Sequence, residues 1–377
     1  MAHKHYTLLT LPVLLLCSLL FISCAQGTRP KNTNDITKEA QGLEIYRDGD
    51  CWIAKVISPE DSTQDLGIYI FPDSDNSKEI PDISGAKIIP PSKRQRVMLY
   101  SSVYSSALKE LGAEHIIKVV GDASYMSDPY IQTGLSDGTI VDAGMQQEPI
   151  IERIIEAHPD LILVSHYKGA DFSKLEKLGI PIIYMRESEE NTPLGRAEWI
   201  KLIGLVAGKP ELADEIFTKV STNYNNLKLK VSKSSAPGPL VMAETMYQGT
   251  WFVAGGKSYA AQLIQDAGGN YPWHDDNSAG SLSLSFEAVL DKASESDIWL
   301  IKMFDQDLDL SSLEAMDSRY MLFKPTKSGG AWTVNTAKVP FYDETPFHPD
   351  MLLKDYISIF HPELTAGYTP RYFKRVQ

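Results

Sequence analysis

The side chains best placed to do chemistry lie where apolar runs end. Ser101, Ser102 and Tyr104 follow Val97-Met98-Leu99-Tyr100, while Ser165, His166, Tyr167 and Lys168 follow the run that closes at Val164. Arg186 follows Pro181–Met185, and in the second half Met246, Tyr247, Trp251, Lys302 and Met303 stand at comparable points. Tyr125 and Met126 occupy a loop expected beside the same groove. Aromatic, methionine and cationic groups together suit a large planar or chelate-like ligand carrying carboxylates, held by stacking, cation–π contact and charge-assisted hydrogen bonds. Each aromatic taken singly is a packing residue. As a set at strand ends, Ser102, Tyr104, Tyr125, His166, Tyr167, Lys168, Arg186, Tyr247, Trp251 and Lys302 are expected to border a ligand cleft.

Other chemistries fit less well. A bare-metal site needs several converging His or carboxylate ligands. Of the eight histidines, His3 and His5 lie near the N-terminus, His158 and His361 precede prolines, His115 begins a strand, and His348 is near the tail. That leaves His166 and His274, too few for a zinc or manganese centre, although haem ligation by one His or Tyr stays open. Gly255-Gly256-Lys257-Ser258 lacks the earlier glycine of a phosphate loop, whose place Trp251 takes. Gly256-Lys257-Ser258-Tyr259-Ala260 is a weak nucleophile elbow with no acid and histidine in matching context. No catalytic residue, cofactor or resident metal is expected.

The elements that must position these residues read as α/β. Buried-strand runs at Val97–Tyr100, Ile116–Val120, Pro159–Val164 and Pro181–Met185 alternate with helical stretches at 105–111, 149–157 and 172–178, which predicts a parallel sheet covered on both faces. Pro193 to Val206 reads as one helix. A second runs from Pro210 to Ser232 with apolar residues at helical spacing, about 35 Å long at about 1.5 Å per residue, and works as a stiff connector. Ala236-Pro237-Gly238-Pro239 breaks the chain before a second set of strands at 240–243, 251–254 and 298–301, and Pro349–Phe360 closes as an amphipathic helix. The expected fold class is α/β: two Rossmann-like lobes with parallel sheets, joined by one long rigid helix. Residues 43–90, with hairpin-like segments broken by prolines, form an N-terminal β extension; 91–190 are lobe one, 191–236 the connecting helices and 237–377 lobe two.

The chain has 377 residues, 43% hydrophobic content and a net charge of −13, enough for a bilobal core and the wrong sign for nucleic acid. Basic or titratable residues precede the apolar run from Leu8 to Ile22, which is signal-peptide length. Ser23-Cys24 resembles the lipobox of bacterial lipoproteins, with Phe21 where Leu is usual. It implies removal of residues 1–23, lipidation of Cys24 and a tether over 24–42, so that the mature protein sits outside the cytoplasm. Cys51 is then the one remaining thiol, and the fold must rest on packing.

Two stretches echo each other: Ile151-Glu152-Arg153-Ile154-Ile155 before Pro159–Ile162, and Phe286-Glu287-Ala288-Val289-Leu290 before Asp297–Leu300. A first-turn Glu complements the helix dipole, but one in each half also puts a carboxylate on the same rim of each lobe. With Arg96-Val97-Met98-Leu99, His158-Pro159-Asp160-Leu161-Ile162-Leu163, Ala254–Ser258, Ala267-Gly268-Gly269-Asn270 and Phe360-His361-Pro362-Glu363, the chain from about Pro90 to Pro362 resembles periplasmic substrate-binding proteins of ABC importers of the single-helix, two-lobed type. The resemblance implies capture of an iron complex, siderophore or haem, and delivery to permease and ATPase subunits. Cobalamin and a zinc or manganese ion are the alternatives, and a cell-envelope chelatase or esterase is the rival of another class. It also implies that Glu152 and Glu287 meet arginines on the permease, that a monomer is anchored by lipid at the periplasmic face of a membrane, and that lobe movements are small.

Overall fold

The computed structural model describes residues 32, 34–234 and 237–377. The leader and Cys24 lie outside the described residues. The chain's first sheet contains β1 (Leu43–Asp48), β2 (Cys51–Ile57), β3 (Asp65–Pro72) and β4 (Lys87–Ile88), with β1, β2 and β3 an antiparallel meander and β4 parallel to β3. It is not a separate appendage. Leu43, Ile45, Val56, Tyr69 and Phe71 share one hydrophobic core with Val97, Leu99 and Trp199 of the following lobe. The Tyr69 hydroxyl accepts the Tyr184 backbone N–H at 3.1 Å, so the extension covers a strand edge that would otherwise be open for pairing.

Lobe one is a five-stranded parallel sheet: β5 (Val97–Leu99), β6 (Ile117–Val120), β7 (Val141–Asp142), β8 (Leu161–Ser165) and β9 (Ile182–Met185), in the order β7-β6-β5-β8-β9. Continuous apolar runs buried on both faces produce it. The order reverses between β5 and β8, and the crevice of such a sheet opens at the carboxyl ends of its strands there.

Residues 38–42, expected to belong to a tether, are docked on lobe one. The backbone N–H groups of Lys38, Glu39 and Ala40 donate to Glu198 at 2.7–3.0 Å, and those of Gln41 and Gly42 donate to Glu190 at 2.8–3.1 Å. Both carboxylates are buried; Trp199 Nε1 completes Glu190 at 2.9 Å and Lys201 pairs with Glu198 at 2.9 Å. Five backbone donors gathered on two acids fix the segment against lobe one.

Two helices replace the single one expected over 193–206. Thr192 caps Pro193–Glu198, Trp199 stays in the right-handed region at φ −63° and ψ −13° between the two, and Ile200–Ala207 follows. The long helix Pro210–Ser232 forms as expected. One stripe serves two cores: Ala213, Phe217 and Val220 pack in lobe one, whereas Tyr224 packs in lobe two and donates to Asp266 at 2.7 Å.

Lobe two keeps the expected parallel strands in its main sheet and adds a small antiparallel one. β10 (Val241–Ala243) is followed by an antiparallel sheet of β11 (Met246–Tyr247), β12 (Thr250–Ala254) and β13 (Ser281–Leu284). The main sheet then continues with β14 (Ile298–Met303) and β15 (Ala331–Asn335), parallel to β10, and β16 (Lys374–Arg375), antiparallel at the edge.

Candidate functional site

A cavity of about 680 Å³ lies against the carboxyl ends of the lobe-two strands and reaches Ser188 of lobe one. Its wall follows from strand alternation. On β12, Trp251 and Val253 point into the core while Phe252, 42% exposed, faces the cavity. Glu244 follows β10 in a left-handed backbone conformation, φ +66°. Its N–H donates to Leu300 O at 2.9 Å and its carbonyl accepts Trp299 Nε1 at 2.8 Å, so both neighbouring bonds hold a conformation worth about 1–2 kcal/mol of strain in a non-glycine residue. The Glu244 carboxylate contacts Lys302 Nζ. Burial by itself lowers the Lys302 ammonium; the adjoining Glu244 charge outweighs it and the pKa is raised.

Tyr259 opens the helix Tyr259–Asp266, capped by Ser258, and its ring lies 4.7 Å from the Arg196 guanidinium. The Gly255-Gly256 turn before it is dictated by close approach. A Cβ on Gly256 would sit 2.4 Å from Asp276 O and 2.5 Å from Trp273 O. The N–H groups of Gly255 and Lys257 donate to Gly280 O at 2.7 Å and Ser278 O at 3.0 Å, leaving this turn to packing rather than to a phosphate. Across the groove, Tyr125 from the segment after β6 meets Phe304 from the end of β14, ring centres 6.0 Å apart. Both rings are more than 60% exposed, so the two lobes touch through an aromatic pair that water reaches from outside.

The expected set divides. Lys302 and Tyr247 line the cavity, and Tyr125 faces Phe304 at its mouth. Trp251 is a correction: it is fully buried, donates through Nε1 to Ala243 O at 3.1 Å, and sits in an aromatic cluster with Trp299, Tyr320 and Phe323. Tyr104 is also a correction. It lies on the inner face of its helix, fully buried, with its hydroxyl 2.8 Å from Ser165 Oγ and 3.3 Å from Glu187. Met126 is likewise a core residue.

His166 and Arg186 are committed to each other's neighbour: His166 Nδ1 lies 3.2 Å and Arg186 Nε 2.9 Å from Glu189. Burial would raise that carboxyl, but the hydrogen bonds from His166 and Arg186 hold it below its ordinary value. Arg186 also donates to Ile57 O of the first sheet. Tyr167 is exposed with its hydroxyl 3.3 Å from Gln147 Nε2, and Lys168 is exposed on the rim. Ser102 lines a different cavity, of about 300 Å³, with Asp128 and Asp343 at the junction of the lobes. The sequence reading missed Glu244, Phe252, Tyr259, Phe304, Tyr342 and Arg196. A strand reading that alternated faces along Thr250–Ala254 would have chosen Phe252 over Trp251, and Ser258 three residues before Ala261 marks the cap that places Tyr259.

Glu152 and Glu287 each occupy the first turn of a helix, Ile151–Ala157 and Phe286–Ala293, that feeds β8 or β14. Both are exposed. A helix returning to the start of a strand has its N-terminus at the strand's carboxyl side, so both carboxylates lie toward the cleft rim. The Glu287 carboxyl is lowered first by its own backbone N–H and then by Ser285. Among the described residues no group of three or more His, Cys, Asp or Glu could hold a metal ion, and no helix is long and apolar enough to cross a membrane.

Residues 97–317, more than half of the chain, match the family model described as periplasmic binding protein. An uncharacterized lipoprotein of Methanocaldococcus jannaschii is 29% identical over 64% of this chain, and the match spans 58% of that protein's length. The iron(3+)-hydroxamate-binding protein FhuD of Bacillus subtilis is 25% identical over 41% of the chain and 45% of its own. A periplasmic haem-binding protein of Pseudomonas aeruginosa superposes with a TM-score of 0.57 at 17% identity, covering 75% of this chain and 98% of that one.

Proposed function

The chain belongs to the periplasmic binding protein family, and on that premise we propose that it captures an iron complex, siderophore or haem, in the inter-lobe cavity and delivers it to an ABC permease and its ATPase. The observation that carries this reading is the cavity itself. It lies at strand ends, is walled by Tyr247, Phe252, Tyr259, Met303 and Lys302, and is bridged at its mouth by Tyr125 and Phe304. Aromatic rings and thioethers offer broad apolar contact to a rigid chelate, and a volume of about 680 Å³ falls in the range of small-molecule sites. The names of two similar proteins, one binding iron(3+)-hydroxamate and one haem, point the same way.

Capture requires no bond to form or break, so the site acts as a binder. Pro210–Ser232 is continuous and anchored in both cores, which favours small lobe adjustments over wide hinge closure. Glu152 and Glu287 supply two fixed carboxylates for orienting a charged permease surface. Lipidation at Cys24 would keep the protein on the outer side of a membrane. Titration of the purified protein with haemin, ferric siderophores and cyanocobalamin, read by tryptophan quenching, tests the reading. Saturation at one equivalent by an iron complex supports it; response to cyanocobalamin alone, or turnover of haem or aryl esters, overturns it.

A further inference from the structure

The charges around the cavity bear on which chelates it admits, an inference that rests on the capture reading above. Of the described residues lining the cavity, the charged ones are Glu244 and Lys302, and they contact each other. Their side chains are 30% and 24% exposed, so the pair sits in the wall, within reach of a ligand. The next cation, Arg196, stands against the Tyr259 ring, outside the lining. On the lobe-one side, Arg186 and His166 share Glu189. Lys168 is exposed to solvent, where screening weakens it.

The lining itself thus carries one cation and one acid in contact, and the formal charge it turns toward a ligand is close to zero. A polyanionic chelate entering this space would be stripped of water with no free counter-charge to meet it. An uncharged chelate gives up far less. The position of Glu244 is not incidental: a left-handed φ of +66° in a glutamate persists because the bonds to Leu300 and Trp299 over-determine it.

We propose that Glu244 is the specificity-determining residue of this site: by neutralising Lys302 it makes the cavity select metal chelates of zero net charge over polyanionic ones. Replacing Glu244 with an uncharged residue frees the Lys302 ammonium to meet an anion.

The test titrates wild type, Glu244→Gln and Glu244→Gly with a neutral ferric trihydroxamate, a trianionic ferric tris-catecholate and haemin at one fixed salt concentration. Glycine accepts the left-handed backbone without strain, so that variant separates loss of charge from any packing effect of glutamine. Wild type is expected to hold the neutral chelate about tenfold or more tighter than the trianion, and both variants to shift that ratio toward the trianion by about tenfold, the size of one freed charge contact. The filter is overturned if wild type binds the trianion as tightly as the neutral chelate, or if both variants leave the ratio within about threefold. Silence toward every chelate overturns the capture reading and the filter together, which tells the two failures apart.

Discussion

Trp251 and Phe252 show how a single step along a strand decides between core and ligand. Both are large aromatics after the same breaker, but β12 pairs antiparallel with β11 and β13, so alternate residues face opposite sides. Trp251→Ala removes a fully buried ring from an aromatic cluster and should cost about 3–5 kcal/mol in urea unfolding. Phe252→Ala should change stability by only about 0.5 kcal/mol while weakening chelate binding, because its ring faces the cavity. Reversal of that pattern would return Trp251 to the site. Side-chain types at strand ends were readable from sequence. Which face each took was not, since Tyr104, Trp251 and Met126 are as apolar and as near the strand ends as true lining residues. Ion pairs that occupy a candidate, such as Glu189 with His166 and Arg186, join positions on a strand end and a turn and leave no periodic trace.

Elements were more legible than sites. Strand runs, the Pro210–Ser232 helix and the breaker before lobe two are visible because periodicity and glycine or proline punctuation are local. The docking of 38–42 onto Glu190 and Glu198 was invisible because it pairs backbone N–H groups with acids about 150 positions away. Glu198→Ala should leave the Lys38, Glu39 and Ala40 N–H groups without their acceptor, while Lys201 keeps Asp214 and Ile36 O, and cost about 1–3 kcal/mol, with earlier proteolysis at 34–42 as a second readout. Unchanged melting and cleavage would refute the clamp.

A second tie joins the lobes: His348 Nε2 lies 2.7 Å from Glu110 at the end of helix Ser102–Glu110. Burial lowers the imidazolium, but Glu110, with Asp350 and Glu344 nearby, outweighs it and raises the folded pKa above the ordinary 6.5. A raised folded pKa makes the charged form stabilising, so the contribution is complete below about pH 6.5 and fades as pH rises through the folded value. Melting curves of wild type and His348→Gln should therefore differ most in mild acid and converge in alkali; a gap that widens with pH would contradict the pairing.

At the scale of the molecule, one helix seated in two cores holds two sheets apart, and the strand ends they present define both the cavity and the rim where Glu152 and Glu287 stand. The double variant Glu152→Ala with Glu287→Ala should bind chelate as wild type does, within about twofold, and lose uptake in cells that depend on this protein; lost affinity would contradict a docking role. Whether an iron chelate sits between the lobes is read by anomalous diffraction at the iron edge, from crystals grown with the chelate that binds. A single iron peak is predicted between the Tyr125–Phe304 pair and the Lys302 wall. A peak on an outer surface, with the groove empty, would contradict it.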